Sequence, residues 1–258
     1  MNTKIMRMMA ALAVAFAVAS CGGDKQILNE AAEAMTDDEG MNLSYFGQLE
    51  GVEYYDDDNT LCFETKNTKV NPALIRDNFD TFAPILINTL FAGSEKRRSL
   101  IAQKVSALGC KVEFDLNPEI EAGRKVEVTI PADKYKEYNG IIVDANAELS
   151  ARMLLKDSLY SLPIMLQNNE QVVDVALENG DLALTIAIDP QLIPTVASNG
   201  IYFKQHGMDI IHSHFSEEGA ICASGNKGIV LHYVGRNGRG SADVVLSPAV
   251  VAKRLSGE

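Results

Sequence analysis

The stretch Asn71-Pro72-Ala73-Leu74-Ile75 returns 118 residues later as Asp189-Pro190-Gln191-Leu192-Ile193. In both, a short acceptor side chain stands directly before a proline. Asn or Asp suits a helix N-cap, where its oxygen accepts from an orphan backbone amide, and proline suits the first helical position, where a missing N–H costs nothing. Each stretch therefore starts a helix. Upstream of the first, Val52 and Tyr54 and then Leu61 and Phe63 alternate around Asp56-Asp57-Asp58-Asn59, which reads as an antiparallel hairpin. Its counterpart turns at Glu178-Asn179-Gly180-Asp181, where Asn-Gly favours a type I′ turn. Aligned without a gap, residues 51–65 match residues 171–185 in pattern. Downstream, residues 111–116 with 125–130 form a second hairpin, which residues 228–234 with 242–246 repeat at an offset of 117.

Between the hairpins of the first copy, Pro84 is expected to stop or kink the opening helix. A further helix starts at Ser94, carries Leu100, Ile101, Lys104, Val105 and Leu108 along one stripe, and ends at Gly109. In the second copy Pro194 and Asn199-Gly200 break the chain early, and a helix runs from Ile201 to about Phe215. A linker helix spans Asp144 to Pro163, where Glu148 and Arg152 can pair one turn apart. A shorter helical patch, Ile27–Met35, precedes the first copy. Three matched features in one order argue for a duplicated domain. The expected fold is α+β, with two tandem similar modules, each having two antiparallel β-hairpins flanking one or two helices. The expected divisions are 1–20, 21–40, 41–138 and 139–258, the last including the linker helix.

Composition supports a folded body: 258 residues, 47% hydrophobic and 22% charged, leave ample material for a core. With 23 Lys+Arg against 35 Asp+Glu, the net charge of -12 excludes a nucleic-acid partner, since phosphates demand a basic face.

The first twenty residues are a different material. Lys4 and Arg7 precede a twelve-residue apolar run, Met8 to Ala19, followed by Ser20 and Cys21. That is a secretory signal, too short for a membrane span. Its end, Val18-Ala19-Ser20-Cys21, resembles the lipobox of bacterial lipoproteins. The resemblance implies cleavage before Cys21, diacylglycerol on its thiol and a further acyl chain such as palmitate on its amine. Gly22 rather than Asp after the cysteine implies, within that family, retention at the outer membrane, facing the periplasm or the exterior. Residues 22–26, "GGDKQ", then read as a short glycine-rich tether. Losing Lys4 and Arg7 leaves 21 basic against 35 acidic residues, a net of -14, so attraction to anionic lipid is not the tether. The body behind it resembles uncharacterised secreted lipoprotein modules in tandem, a likeness of pattern that implies no activity.

Candidate chemistry is sparse. His206, His212 and His214 are the best-looking metal cluster, yet at about 100° per residue on a helix they do not share one face. Asp56-Asp57-Asp58-Asn59 lacks the glycine and glutamate of a calcium loop, having Leu61 and Asn67 at those positions. "VGRNGRG", residues 234–240, precedes a strand pattern rather than a helix, so it reads as a turn and not a phosphate cradle. Cys62, Cys110 and Cys222 lie in no catalytic signature; in an oxidising compartment one internal pair can form, and Cys62 with Cys110 is the preferred disulfide. The chain has no Trp, so no Trp-rich sugar platform is advertised. No catalytic residue, metal or cofactor is assigned. The expected function is a lipid-anchored cell-envelope protein with a binding or structural role toward an unknown ligand or envelope protein; the alternative is an envelope hydrolase whose site is assembled from distant residues.

Overall fold

The computed structural model describes residues 23–36, 40–118 and 125–255. The chain divides after Ile142 into two compact units, each with its own mixed sheet, so the fold is α+β.

The first unit opens with helix α1 (Gly23–Thr36), which buries Leu28, Ala32 and Met35 and packs against strand β1 (Gln48–Tyr55). Helix formation from Gly23 overtakes the expected flexible tether: the Asp24 carboxylate meets Lys104 Nζ at 2.7 Å, and Lys25 pairs with Asp56. Strand β2 (Thr60–Thr68) follows β1 as an antiparallel hairpin. The chain then runs through α2 (Pro72–Asp77), α3 (Phe79–Leu90) and α4 (Glu95–Leu108) before β3 (Lys111–Pro118), β4 (Val126–Ile130) and α5 (Ala132–Asn139). Asn71 caps α2 as expected, its Oδ1 accepting from the Ala73 amide at 3.0 Å. Pro84 does not end a helix. It lies buried inside α3, and the break falls six residues earlier at Asn78, whose φ of -124° is not helical. Gly109 closes α4 in the left-handed conformation, with the Cys110 amide returning to the Val105 carbonyl at 2.9 Å.

The sheet order is β1-β2-β3-β4, and β2 and β3 pair in parallel. A parallel neighbour cannot be reached by a tight turn, so the three helices between β2 and β3 are the crossover that the pairing demands. Cross-strand rows follow from the register. Tyr54, Leu61, Val112 and Ile130 form one row, and Val52, Phe63, Phe114 and Val128 the next, all on the buried face. There Phe63 and Phe114 stack at 5.1 Å. The opposite face carries Glu53, Cys62, Glu113 and Thr129, then Gly51, Glu64, Asp115 and Glu127.

The second unit begins with α6 (Ala145–Leu154), capped by Asp144 onto the Ala147 amide at 2.8 Å, and the short α7 (Lys156–Leu159). The expected single linker helix thus breaks at Leu155, before Pro163. A two-residue edge strand β5 (Ile164–Met165) precedes the hairpin β6 (Gln171–Glu178) and β7 (Asp181–Ile188). Asp189 caps the next turn through the Gln191 amide at 2.9 Å, and α8 (Ile193–Ser198), α9 (Gly200–His214) and α10 (Ser216–Ser224) cross over to β8 (Ile229–Gly235), β9 (Ser241–Leu246) and α11 (Pro248–Leu255). The order is β5-β6-β7-β8-β9, with β7 and β8 parallel. Its core-facing rows are Leu177, which is half-buried, with Leu182, Ile229 and Leu246, then Val175, Leu184, Leu231 and Val244. Strands β1–β4 of the first sheet and β6–β9 of the second therefore share pairing sense, and each opening hairpin, β1–β2 and β6–β7, carries a bulge in its first strand, at Leu49/Gly51 and at Val172/Asp174. The ungapped match of residues 51–65 to 171–185 is corrected by these pairs. Tyr54 corresponds to Leu177, an offset of 123, whereas Leu61 corresponds to Leu182, an offset of 121, because the first turn has two more residues.

Helix α9 lies close on β8 because Gly207 faces it: a Cβ there would come within 2.1 Å of Leu231 Cδ1. Beside it, Arg152 of α6 is buried with Glu218 of α10, Nε to Oε1 at 2.9 Å, and also pairs with Glu217, while the Tyr160 hydroxyl donates to Glu218 Oε1 at 2.7 Å. Removing one member of such a pair leaves an uncompensated charge in the interior. Arg152→Ala is expected to cost about 3–5 kcal/mol in urea-denaturation stability, and a loss below about 1 kcal/mol, as for an exposed pair, would show the network to be dispensable.

Candidate functional site

Cys21 and the expected secretory signal before it lie outside the described residues. The expected Cys62–Cys110 bridge is not formed, and the pleat gives the reason. Cys62 shares its face with Glu113 and Asp115, whereas Cys110, one residue before β3, alternates with Val112 and Phe114 onto the buried face. Their thiols find separate partners: Cys62 Sγ donates to Asp115 Oδ2 at 3.7 Å and Cys110 Sγ to the Lys111 carbonyl at 3.1 Å. Burial pushes the Cys110 and Cys222 thiols up to about 11, so neither is a ready nucleophile.

The acidic turn at residues 56–59 is held by lysines, with Lys111 Nζ on Asp58 Oδ1 at 2.9 Å and Lys25 on Asp56. "VGRNGRG" forms the β8–β9 turn, where the Gly238 amide donates to the Gly235 carbonyl at 2.7 Å.

The three histidines lie on α9 as expected, and although they do not share one helix face, all three line an open groove of about 690 Å³ together with Asp209, Leu166, Gln167 and Arg254. Behind His206 stands Glu170, buried at the start of β6, with Nε2 and Oε2 2.5 Å apart; the Tyr202 ring stacks on the imidazole. The bond to Glu170 raises the His206 pKa above its ordinary value against the opposing effect of burial. His232, which sequence reasoning passed over, sits between two carboxylates, Nδ1 on Asp243 at 2.8 Å and Nε2 on Glu178 at 3.0 Å. Its pKa is raised for the same reason, Asp243 contributing most.

Among the described residues, one trio of potential metal ligands converges: Cys62, Glu113 and Asp115, with ligand atoms all within 4.8 Å of one another. Asp115 is 3% exposed; its Oδ2 meets Lys125 Nζ at 2.5 Å, and its Oδ1 is buried without a hydrogen-bond partner. Burial, and then the charges of Asp115, Glu113 and Glu64, hold the Cys62 thiol firmly protonated. Glu113 Oε2 accepts from Thr129 Oγ1 at 3.0 Å. Glu113 and Asp115 alternate visibly in sequence, but Cys62 joins them only through the parallel pairing of β2 and β3.

Compared with protein-family models, curated proteins and solved structures, the chain matches none. The chemistry therefore rests on these residues alone.

A histidine whose folded pKa exceeds the unfolded value of about 6.5 stabilises the fold fully below that value, and the contribution disappears as pH rises through the folded pKa. His206→Gln is expected to lower the stability of the second unit more at about pH 5.5 than at about pH 8.5, read by urea unfolding. Equal losses at both pH values would mean that the imidazolium form is not favoured by Glu170.

Proposed function

We propose that this chain is a lipid-anchored protein of the cell envelope, held at the outer membrane, in which two duplicated α+β modules serve a binding or structural role. The observation that carries the reading is Cys21, placed after Val18-Ala19-Ser20 at the end of a twelve-residue apolar run. A thiol is nucleophilic enough to take a diacylglyceryl group, and each buried CH₂ of the attached chains contributes about 0.8 kcal/mol, so two or three chains hold where one would exchange. Among the described residues no helix is long and apolar enough to cross a membrane. The mature net charge of -14 argues that acyl chains, not basic patches, make the attachment.

Duplication is supported by the recurrent capped proline, the matching bulge and the common pairing sense of the two sheets. A binding role draws on the α9 groove. A hydrolase would need a nucleophile within hydrogen-bond reach of the Glu170-held imidazole. The groove's Ser213 stands seven residues along the helix from His206, about 10 Å down the axis. That separation favours ligand binding over Ser–His chemistry.

Cells expressing the full chain and fed a labelled palmitate are expected to label it and to carry it in the membrane fraction. Cys21→Ala is expected to lose the label and release the protein to the soluble fraction; a variant still membrane-bound and labelled would refute the anchor.

A further inference from the structure

The polar residues on the outward face of the first sheet are not required by its architecture. The row Glu53-Cys62-Glu113-Thr129 corresponds, by strand pairing, to Ala176-Ala183-Val230-Val245 in the second sheet, and Asp115 corresponds to His232. The same pairing pattern thus closes with alanine and valine where the first unit has Cys62 and Glu113, and with a histidine where it has Asp115. Their presence also carries a cost. Asp115 Oδ1 is a buried acceptor without a hydrogen-bond partner, which is unfavourable, the more so for a charged group. Glu64 and Glu127 flank Asp115 on its row, so the local field is strongly negative. The facing cation is Lys125, whose ammonium contacts Asp115 and, at 3.5 Å, Glu127.

We propose that Cys62, Glu113 and Asp115 form a binding site for a divalent transition-metal cation of the zinc class, with the Lys125 ammonium standing in the cation's place when no metal is bound. The donor set selects the class: a thiolate prefers zinc, cobalt or cadmium to magnesium or calcium, and two carboxylates supply the charge. Geometry allows it. Zinc bonds of about 2.3 Å to sulfur and about 2.1 Å to oxygen at a tetrahedral angle separate the two donors by about 3.6 Å. Cys62 Sγ and Asp115 Oδ2 already stand 3.7 Å apart, and the Glu113 donor lies within 4.8 Å of both. Three protein ligands leave a fourth position for water, and the Thr129 hydroxyl on Glu113 supplies the outer contact that orients such ligands. Lys125 lies at the mouth of β4 with its side chain 45% exposed, free to swing into solvent.

Binding releases the Cys62 proton to solvent and forms the metal–sulfur bond without redox change. Departure of Lys125 removes a competing cation.

The test uses the full chain carrying Cys21→Ala, Cys110→Ser and Cys222→Ser, so that Cys62 is the sole thiol, purified reduced and metal-free. Cobalt titration is expected to produce a thiolate-to-cobalt charge-transfer band that saturates at one equivalent and disappears on adding zinc. Asp115→Asn in this background weakens cobalt by about tenfold or more. The exposed Lys125→Ala strengthens it, an outcome that a purely structural role for the cluster would not give. No charge-transfer band from a protein with native circular dichroism overturns the proposal, as does a band whose affinity is unmoved by both Asp115→Asn and Lys125→Ala. Should Asp115→Asn unfold the protein, Lys125→Ala alone decides: unchanged or weaker cobalt binding counts against the site.

Discussion

The parallel pairing of two central strands, β2 with β3 and β7 with β8, is the constraint from which the rest of each unit follows. Parallel neighbours exclude a tight turn and demand a covered crossover, and in both units the crossover is a set of helices that begins at a capped proline. Once the crossover exists, one face of the sheet must be apolar to receive it. The rows through Phe63 and Phe114 and through Leu184 and Leu231 meet that demand, and Gly207 lets α9 approach the second sheet closely. The antiparallel outer strands are additions to this centre.

The two units differ on the other face. In the second unit the central strands bury apolar residues on that side too: Ala183 and Ala187 of β7 are nearly inaccessible. In the first, the equivalent strand is "TLCFETKNT", which on that side carries Thr60 and Cys62, both buried, and the half-buried Glu64. The units thus share a pairing pattern and differ in surface chemistry. Cys62 and Glu113 of the first unit stand at strand positions that Ala183 and Val230 fill in the second.

Much of the local structure was legible in the residues. Asn71, Asp144, Asp189 and Asn199 each stand immediately before a helix or turn whose early amide their side chain accepts, because capping depends on chemistry within three residues. Both hairpins of each unit were also readable from alternation and turn residues. The parallel pairing was not, since it is set by where a long crossover returns rather than by any local pattern. Its consequences were therefore hidden as well: the opposed faces of Cys62 and Cys110, and the meeting of Cys62 with Asp115. Pro84 misled for a different reason. Tertiary burial keeps it inside α3, while Asn78 supplies the break. Glycine composition suggested a loose start at Gly22-Gly23, yet the pairing of Asp24 and Lys25 with Lys104 and Asp56 accompanies a helix from Gly23 onward.

Amide hydrogen exchange on the full chain, followed by mass spectrometry at peptide resolution, tests the central constraint most directly. Strands that carry each unit should open only with global unfolding. The expected result is slowest exchange in β2 and β3 of the first unit and β7 and β8 of the second, with β1, β4, β5 and β9 exchanging sooner. Outer strands protected as strongly as the central pair, or a central pair that exchanges first, would contradict it.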